Sequence, residues 1–70
     1  MTEENLLTQL GKKIKEHRLK KAMTQNELAM HCNFEKASLS RIESGKTNMT
    51  VLTLRKICVA LEVDIGDMFH

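Results

Sequence analysis

Lys36, Ala37, Ser40 and Arg41 fall on one side of a helical pattern from Glu35 to Glu43 whose other side carries Leu39 and Ile42. The chemistry open to such a face is hydrogen bonding and charge neutralisation. A guanidinium such as that of Arg41 presents a rigid fork of donors, the Lys36 ammonium is a point charge, and Ala37 offers only a methyl group. Catalysis has no support in the chain. No nucleophile stands beside a base in a readable pattern, no phosphate-binding glycine loop occurs, and there is little room for a pocket. A metal or redox role would have to draw on Cys32, Cys58, His17, His31 and His70. These show no Cys-x-x-Cys or paired-histidine spacing, and His31 and Cys32 are adjacent, so neither a metal nor a cofactor is expected.

Two short helices and a tight turn must hold that face. Thr24 begins a Thr-x-x-Glu capping box, its hydroxyl serving the Glu27 backbone N–H while the Glu27 carboxylate reaches back. Leu28 and Ala29 point inward. The turn falls at Cys32-Asn33, because asparagine is among the few non-glycine residues that accept positive φ cheaply, and Phe34 closes it from inside. The second helix runs from Glu35 to Glu43 and stops at Ser44-Gly45, where glycine supplies a left-handed cap.

The blocks Met23-Thr24-Gln25-Asn26-Glu27-Leu28-Ala29 and Leu39-Ser40-Arg41-Ile42-Glu43-Ser44-Gly45-Lys46, with Leu54-x-Lys56-Ile57-x-x-Ala60-Leu61 downstream, carry a resemblance. In that order and spacing they look like the phage repressor and Cro-like helix-turn-helix family of DNA-binding transcriptional regulators, the xenobiotic-response-element type. The match extends from Leu10 to Phe69. It implies an all-α fold, a compact five-helix bundle of the lambda-repressor-like type, with the second helix of the motif in the major groove of double-stranded DNA.

By that resemblance Lys36, Ala37 and Arg41 reach base edges, with Ser40 beside them. Arg41 is the foremost candidate, since a guanidinium can bond guanine O6 and N7 together. Lys36 would either read a base or settle on a phosphate, and Ala37 can offer a methyl contact, for instance to thymine. Glu35 either accepts from a cytosine amino group or simply favours the helix N-terminus. Thr24 and Gln25 stand at a helix start, where unpaired backbone N–H groups favour phosphate. Gln25 matches a family phosphate contact, although a solvated side chain would look the same in sequence. Ser38, Lys46, Thr47 and Asn48 complete the expected phosphate contacts.

The resemblance also pairs Arg18 with Glu43 as a structural ion pair; the competing reading places Arg18 on a phosphate. Family members mostly bind as dimers to half-sites about 34 Å apart. Leu52, Val59, Ile65, Met68 and Phe69 are the candidates for a two-fold interface, the alternative being that Ile65 and Phe69 cap the core while Leu52 and Val59 are isolated surface apolars. The implied partners are a palindromic DNA operator and a second copy, with RNA polymerase or a toxin as further candidates. Among short members, restriction–modification controllers and antitoxins both fit, and Asn48-Met49-Thr50-Val51 looks more like the controllers. A protein-interaction module on the same fold would carry neutral or acidic residues where Lys36 and Arg41 stand.

Composition agrees with this class. Seventy residues make one domain, expected to span 1–70. Proline is absent, Phe34 and Phe69 are the only aromatics, and the apolar residues are mostly leucine, isoleucine and methionine, as suits helices rather than sheets. No segment approaches the roughly twenty apolar residues of a membrane span, and no signal-peptide pattern opens the chain. A soluble cytoplasmic protein is expected, and two cysteines are consistent with a reducing compartment. The net charge of +2 conceals an asymmetry. All 11 basic residues lie between Lys12 and Lys56 against Glu16, Glu27, Glu35 and Glu43, while Glu3, Glu4, Glu62, Asp64 and Asp67 lie outside. A basic middle with acidic ends suits a central face that meets an anion.

Taken in order, Met1 to Asn5 is polar and expected to fray. A first helix should span Leu6 to Lys21, with Leu6, Leu10 and Ile14 on its inner face and Arg18 continuing that stripe. His17 stands where the family usually has an apolar residue and reads as half-buried. Ala22 replaces the usual glycine, which should strain the cap or shift it by a residue. After Gly45 a polar connection leads to a helix from Thr50 to Leu61, with Val51, Leu54, Ile57, Cys58 and Leu61 on its core face. Met49 stands for the family's proline and Cys58 for its alanine. Asp64 then caps a last short helix through Phe69.

Overall fold

The computed structural model describes residues 3–69 of the chain. Four α-helices, α1 (Glu3–Lys20), α2 (Gln25–Cys32), α3 (Lys36–Glu43) and α4 (Val51–Leu61), are followed by a 3-10 helix, Ile65–Phe69. The all-α reading holds, but the expected fifth helix is not α. Its five residues include Gly66, too short and too weak a helix former to complete an i→i+4 ladder, and the segment tightens instead, with Asp67 N–H donating to Asp64 C=O at 3.0 Å.

α1 begins at Glu3 rather than at the expected Leu6; nothing in Glu-Glu-Asn breaks a helix. The expected fraying of the N-terminal residues falls in part on Met1 and Thr2, which lie outside the described residues, as does His70. At its other end α1 closes through a left-handed Ala22, φ 55°, with Met23 N–H donating to Arg18 C=O at 3.1 Å. Alanine therefore takes the strain, and the cap does not shift.

The helices enclose one core, whose fully buried side chains are Ile14, Leu28, Leu39, Ile57, Leu61 and Met68. Leu10, Ala29, Cys32, Ile42, Leu54 and Cys58 surround them, and Phe34 and Met49 pack against the edge. Two apolar residues expected inward are not. Leu6 is exposed and Val51 is 73% exposed, because each lies a turn beyond the last core residue of its helix, Leu10 and Leu54. Periodicity assigns a face but not where along the helix the core ends.

α1 packs most extensively against α3, and α2 against both α3 and α4. The short helix α3 thus lies across α1 and α2 with Leu39, Ile42 and Glu43 buried and its opposite side free of protein.

Candidate nucleic-acid interface

α2 starts with the full reciprocal cap: Glu27 N–H donates to Thr24 Oγ1 at 3.1 Å, and Thr24 N–H donates to Glu27 Oε1 at 3.0 Å. The backbone N–H of Thr24, and then its side chain, hold the Glu27 carboxyl below the usual value of 4.5. α2 ends on Asn33, left-handed at φ 59° and ψ 40°, and Phe34 N–H donates to Ala29 C=O at 2.8 Å, turning the chain into α3.

Glu35 is the N-cap of α3, but its carboxylate makes no capping hydrogen bond; its carbonyl accepts from Ser38 and Leu39. From there Lys36, Ala37 and Arg41 are exposed, with Ser38 and Ser40 half-buried between them and the core. Among the described residues no carboxylate is paired with Lys36 or Arg41; the ion pairs are Arg18–Glu43 and Lys21–Glu62. An unpaired guanidinium beside an unpaired ammonium on one helix face is a hydrogen-bond-donating surface for an anionic or carbonyl-rich partner.

Behind that face lies a buried polar network. Arg18 Nε donates to Glu43 Oε2 at 2.7 Å and Arg18 Nη2 to Glu43 Oε1 at 3.1 Å, while Arg18 Nη1 donates to Met23 C=O at 2.7 Å. Both residues are under one-tenth exposed, with the Arg18 guanidinium committed to Glu43 and Met23. Gln25 Nε2 donates to Glu43 Oε1 at 3.0 Å. The Gln25 amide is therefore oriented by Glu43 and keeps a second N–H. One carboxylate so joins α1, the start of α2 and the end of α3. Among the described residues no buried side-chain polar atom lacks a partner, as a buried charge requires.

The chain leaves α3 through Gly45, left-handed at φ 72°, with Lys46 N–H donating to Arg41 C=O at 3.0 Å and Ser44 Oγ donating to Ser40 C=O at 2.9 Å. Lys46 and Asn48 are exposed and Thr47 is half-buried, its hydroxyl donating to Asn48 C=O at 3.4 Å. Together with Arg41 and Ser38, Thr47 and Asn48 line a recess shared with Phe34, Ile42, Met49 and Thr50, the N-cap of α4. Ten of the expected contact residues, Thr24, Gln25, Lys36, Ala37, Ser38, Ser40, Arg41, Lys46, Thr47 and Asn48, therefore belong to α2's start, α3 and the loop after it.

The interface candidates divide. Leu52 and Val59 are 71% and 67% exposed on α4, and Ile65 and Phe69 are also exposed. Met68 is corrected: it is 2% exposed and part of the core, because the 3-10 geometry turns it inward between α1 and α4. His17 is half-buried. Cys32 and Cys58 are free and buried, and burial pushes both thiols up, away from reactivity.

Four contacts had no forerunner in the sequence reading: Gln25 on Glu43, the Lys21–Glu62 pair at 3.4 Å, Lys56 over the Phe34 ring at 5.9 Å, and the close seating of Gly11 on α3. Of these only Gly11 leaves a mark in sequence, as an isolated glycine inside a helical pattern.

Residues 14–68 match the family model described as helix-turn-helix. The chain is 36% identical over 61 residues to the HTH-type transcriptional regulator SlrR of Bacillus subtilis, covering 86% of this chain but only 40% of SlrR. It is 34% identical over 65 residues to the control protein C.BamHI of Bacillus amyloliquefaciens, covering 91% of this chain and 80% of that protein. Its fold superposes on the crystal structure of the restriction-modification controller protein C.Esp1396I with a TM-score of 0.83 at 38% identity, covering 91% of this chain and 83% of that one. Capped α2, the Asn33 turn, an α3 with one buried and one open side, and a family match spanning all of them lead to one conclusion: this chain belongs to the helix-turn-helix family.

Proposed function

We propose that the chain is a sequence-specific regulator of transcription that binds double-stranded DNA, setting α3 in the major groove of a palindromic operator as a homodimer. The observation that carries this reading is the open face of α3. Lys36 and Arg41 stand exposed and unpaired among the described residues, on a helix clamped from behind by the Arg18–Glu43 pair. Arg41 takes the part of base reader through a bidentate contact to guanine, Lys36 a base or a flanking phosphate, and Ala37 and Ser40 the shorter contacts between them. Thr24 and Gln25 on one side, with Ser38, Lys46, Thr47 and Asn48 on the other, take the phosphates that fix the register.

The likeness to C.BamHI and C.Esp1396I favours a controller of the restriction–modification kind, and Leu52 and Val59 on α4 the two-fold contact. Selection from a random duplex pool at two salt concentrations, with Arg41→Ala in parallel, tests this reading. The expected result is a palindromic motif in which the variant loses one defined base preference. Binding that disappears at moderate salt with no motif, identical in both proteins, would reduce the basic face to general attraction.

A further inference from the structure

The same base-reading face depends on a contact made on the opposite side of α3. A Cβ on Gly11 would stand 2.4 Å from the carbonyl oxygen of Glu43 and 2.7 Å from that of Ile42. Within one turn on either side the relation is repeated: a Cβ on Gly45 would stand 2.7 Å from Thr8 Cα and 2.8 Å from Thr8 N. Both obstructions are backbone atoms, which cannot rotate aside. The absent side chains let α1 and the last turn of α3 touch backbone to backbone.

Thr8, Gly11 and Arg18 lie along one side of α1, and each holds a different part of the same segment. Arg18 holds the Glu43 carboxylate, Gly11 the Glu43 carbonyl, and Thr8 the glycine that ends the helix. Arg41 sits within that last turn, and its carbonyl accepts the Lys46 N–H that starts the loop. Any displacement of the turn from α1 moves Arg41 and Lys46 together. Resting on the DNA-binding reading above, we infer that Gly11 is a positioning residue for sequence readout: it sets how far the recognition helix stands from α1, and through that where the Arg41 guanidinium lies.

The magnitude is suited to the role. Real Cβ atoms do not approach within 3.0 Å, so Gly11→Ala must part α1 from the end of α3 by at least ~0.6 Å, a displacement that close-packed interiors transmit rather than absorb. Hydrogen-bonded readout is sensitive to errors of this size. Gly66 provides the control, because a Cβ there meets nothing within 4 Å.

The test uses the full chain carrying Gly11→Ala, Arg41→Ala, both together, or Gly66→Ala, measured against the selected operator and a scrambled duplex, with folding followed by circular dichroism. Gly11→Ala is expected to fold, to bind the scrambled duplex as the wild type does, and to lose roughly tenfold in preference for the operator at the base read by Arg41. In the Arg41→Ala background the same change should cost no further preference. An undiminished preference, or a loss that simply adds to that of Arg41→Ala, would overturn the assignment. Failure of Gly11→Ala to fold would make the contact a requirement of folding alone and would likewise overturn the assignment. If the wild type itself selects no motif, the DNA-binding reading falls and takes this one with it. A wild type that selects a motif which Gly11→Ala keeps removes only the role of Gly11.

Discussion

The Arg18 guanidinium meets the Glu43 carboxylate through two hydrogen bonds, of 2.7 and 3.1 Å, with both residues almost wholly buried. The third bond of the arginine, to Met23 C=O, and the second ligand of the glutamate, Gln25, mean that three helices share one charge pair. Removing either partner alone strands the other in the interior. Glu43→Ala should therefore cost about 3–5 kcal/mol, whereas Arg18→Met with Glu43→Leu should cost much less, because no charge is left unpaired. Urea unfolding of the two variants decides it: a double variant no more stable than Glu43→Ala would mean that the pair does more than satisfy itself.

Ala22 at φ 55° pays for a left-handed cap with its own Cβ. L-residues lose roughly 1–2 kcal/mol there, and glycine loses almost nothing. Part of that gain is returned because glycine loosens the unfolded chain. Ala22→Gly should stabilise the protein by about 0.5–1 kcal/mol. A lower denaturation midpoint for the variant would contradict the strain.

The Glu27 carboxyl is held below 4.5 by the Thr24 backbone N–H and hydroxyl. A group whose pKa falls on folding adds stability above its unfolded value, and loses it as pH falls through the folded one. Glu27→Gln should therefore be less stable than wild type at pH 7, with the gap narrowing as pH drops below about 4.5. Thermal midpoints of both proteins at pH 7 and pH 3 measure it, and a gap that widens in acid would refute the capping role. The residue is fully exposed, so the difference at pH 7 is expected to be small.

What could be read in sequence, and what could not, follows from how local each rule is. The Thr24–Glu27 box, the Asn33 turn and the Gly45 cap each depend on a few neighbouring residues, and the structure contains all three. Ala22 left two local outcomes open, and its φ of 55° with the hydrogen bonds from Ala22 and Met23 back to Leu19 and Arg18 shows that the chain takes the strained one. Leu6 and Val51 fit their helical stripes and still lie outside, because the core's extent is a property of the packed bundle. Met68 sits in a segment too short for any period to place it. Gln25 needed the position of Glu43, eighteen residues on, before its amide could be oriented. Gly11 was visible only as a glycine where none was needed, and its reason lies in the backbone of another helix.

α4 carries Leu52 and Val59 outward, seven residues apart and therefore two turns along one face, each about two-thirds exposed or more. Arg55 and Lys56 flank them, while Asp64 and Asp67 lie beside exposed Ile65 and Phe69. A two-fold contact that brings one copy's acidic apolar end against the other's basic apolar helix would bury both sets and balance their charges. Val59→Glu places a carboxylate in the middle of the apolar face without touching the core, so the folded helical content should stay. Sedimentation at tens of micromolar should then show wild-type dimer and variant monomer. Operator binding should weaken by an order of magnitude or more, because each copy alone covers one half-site. Wild type that sediments as monomer, or a variant that remains dimeric, would place the two-fold contact elsewhere and leave Leu52 and Val59 as isolated surface apolars.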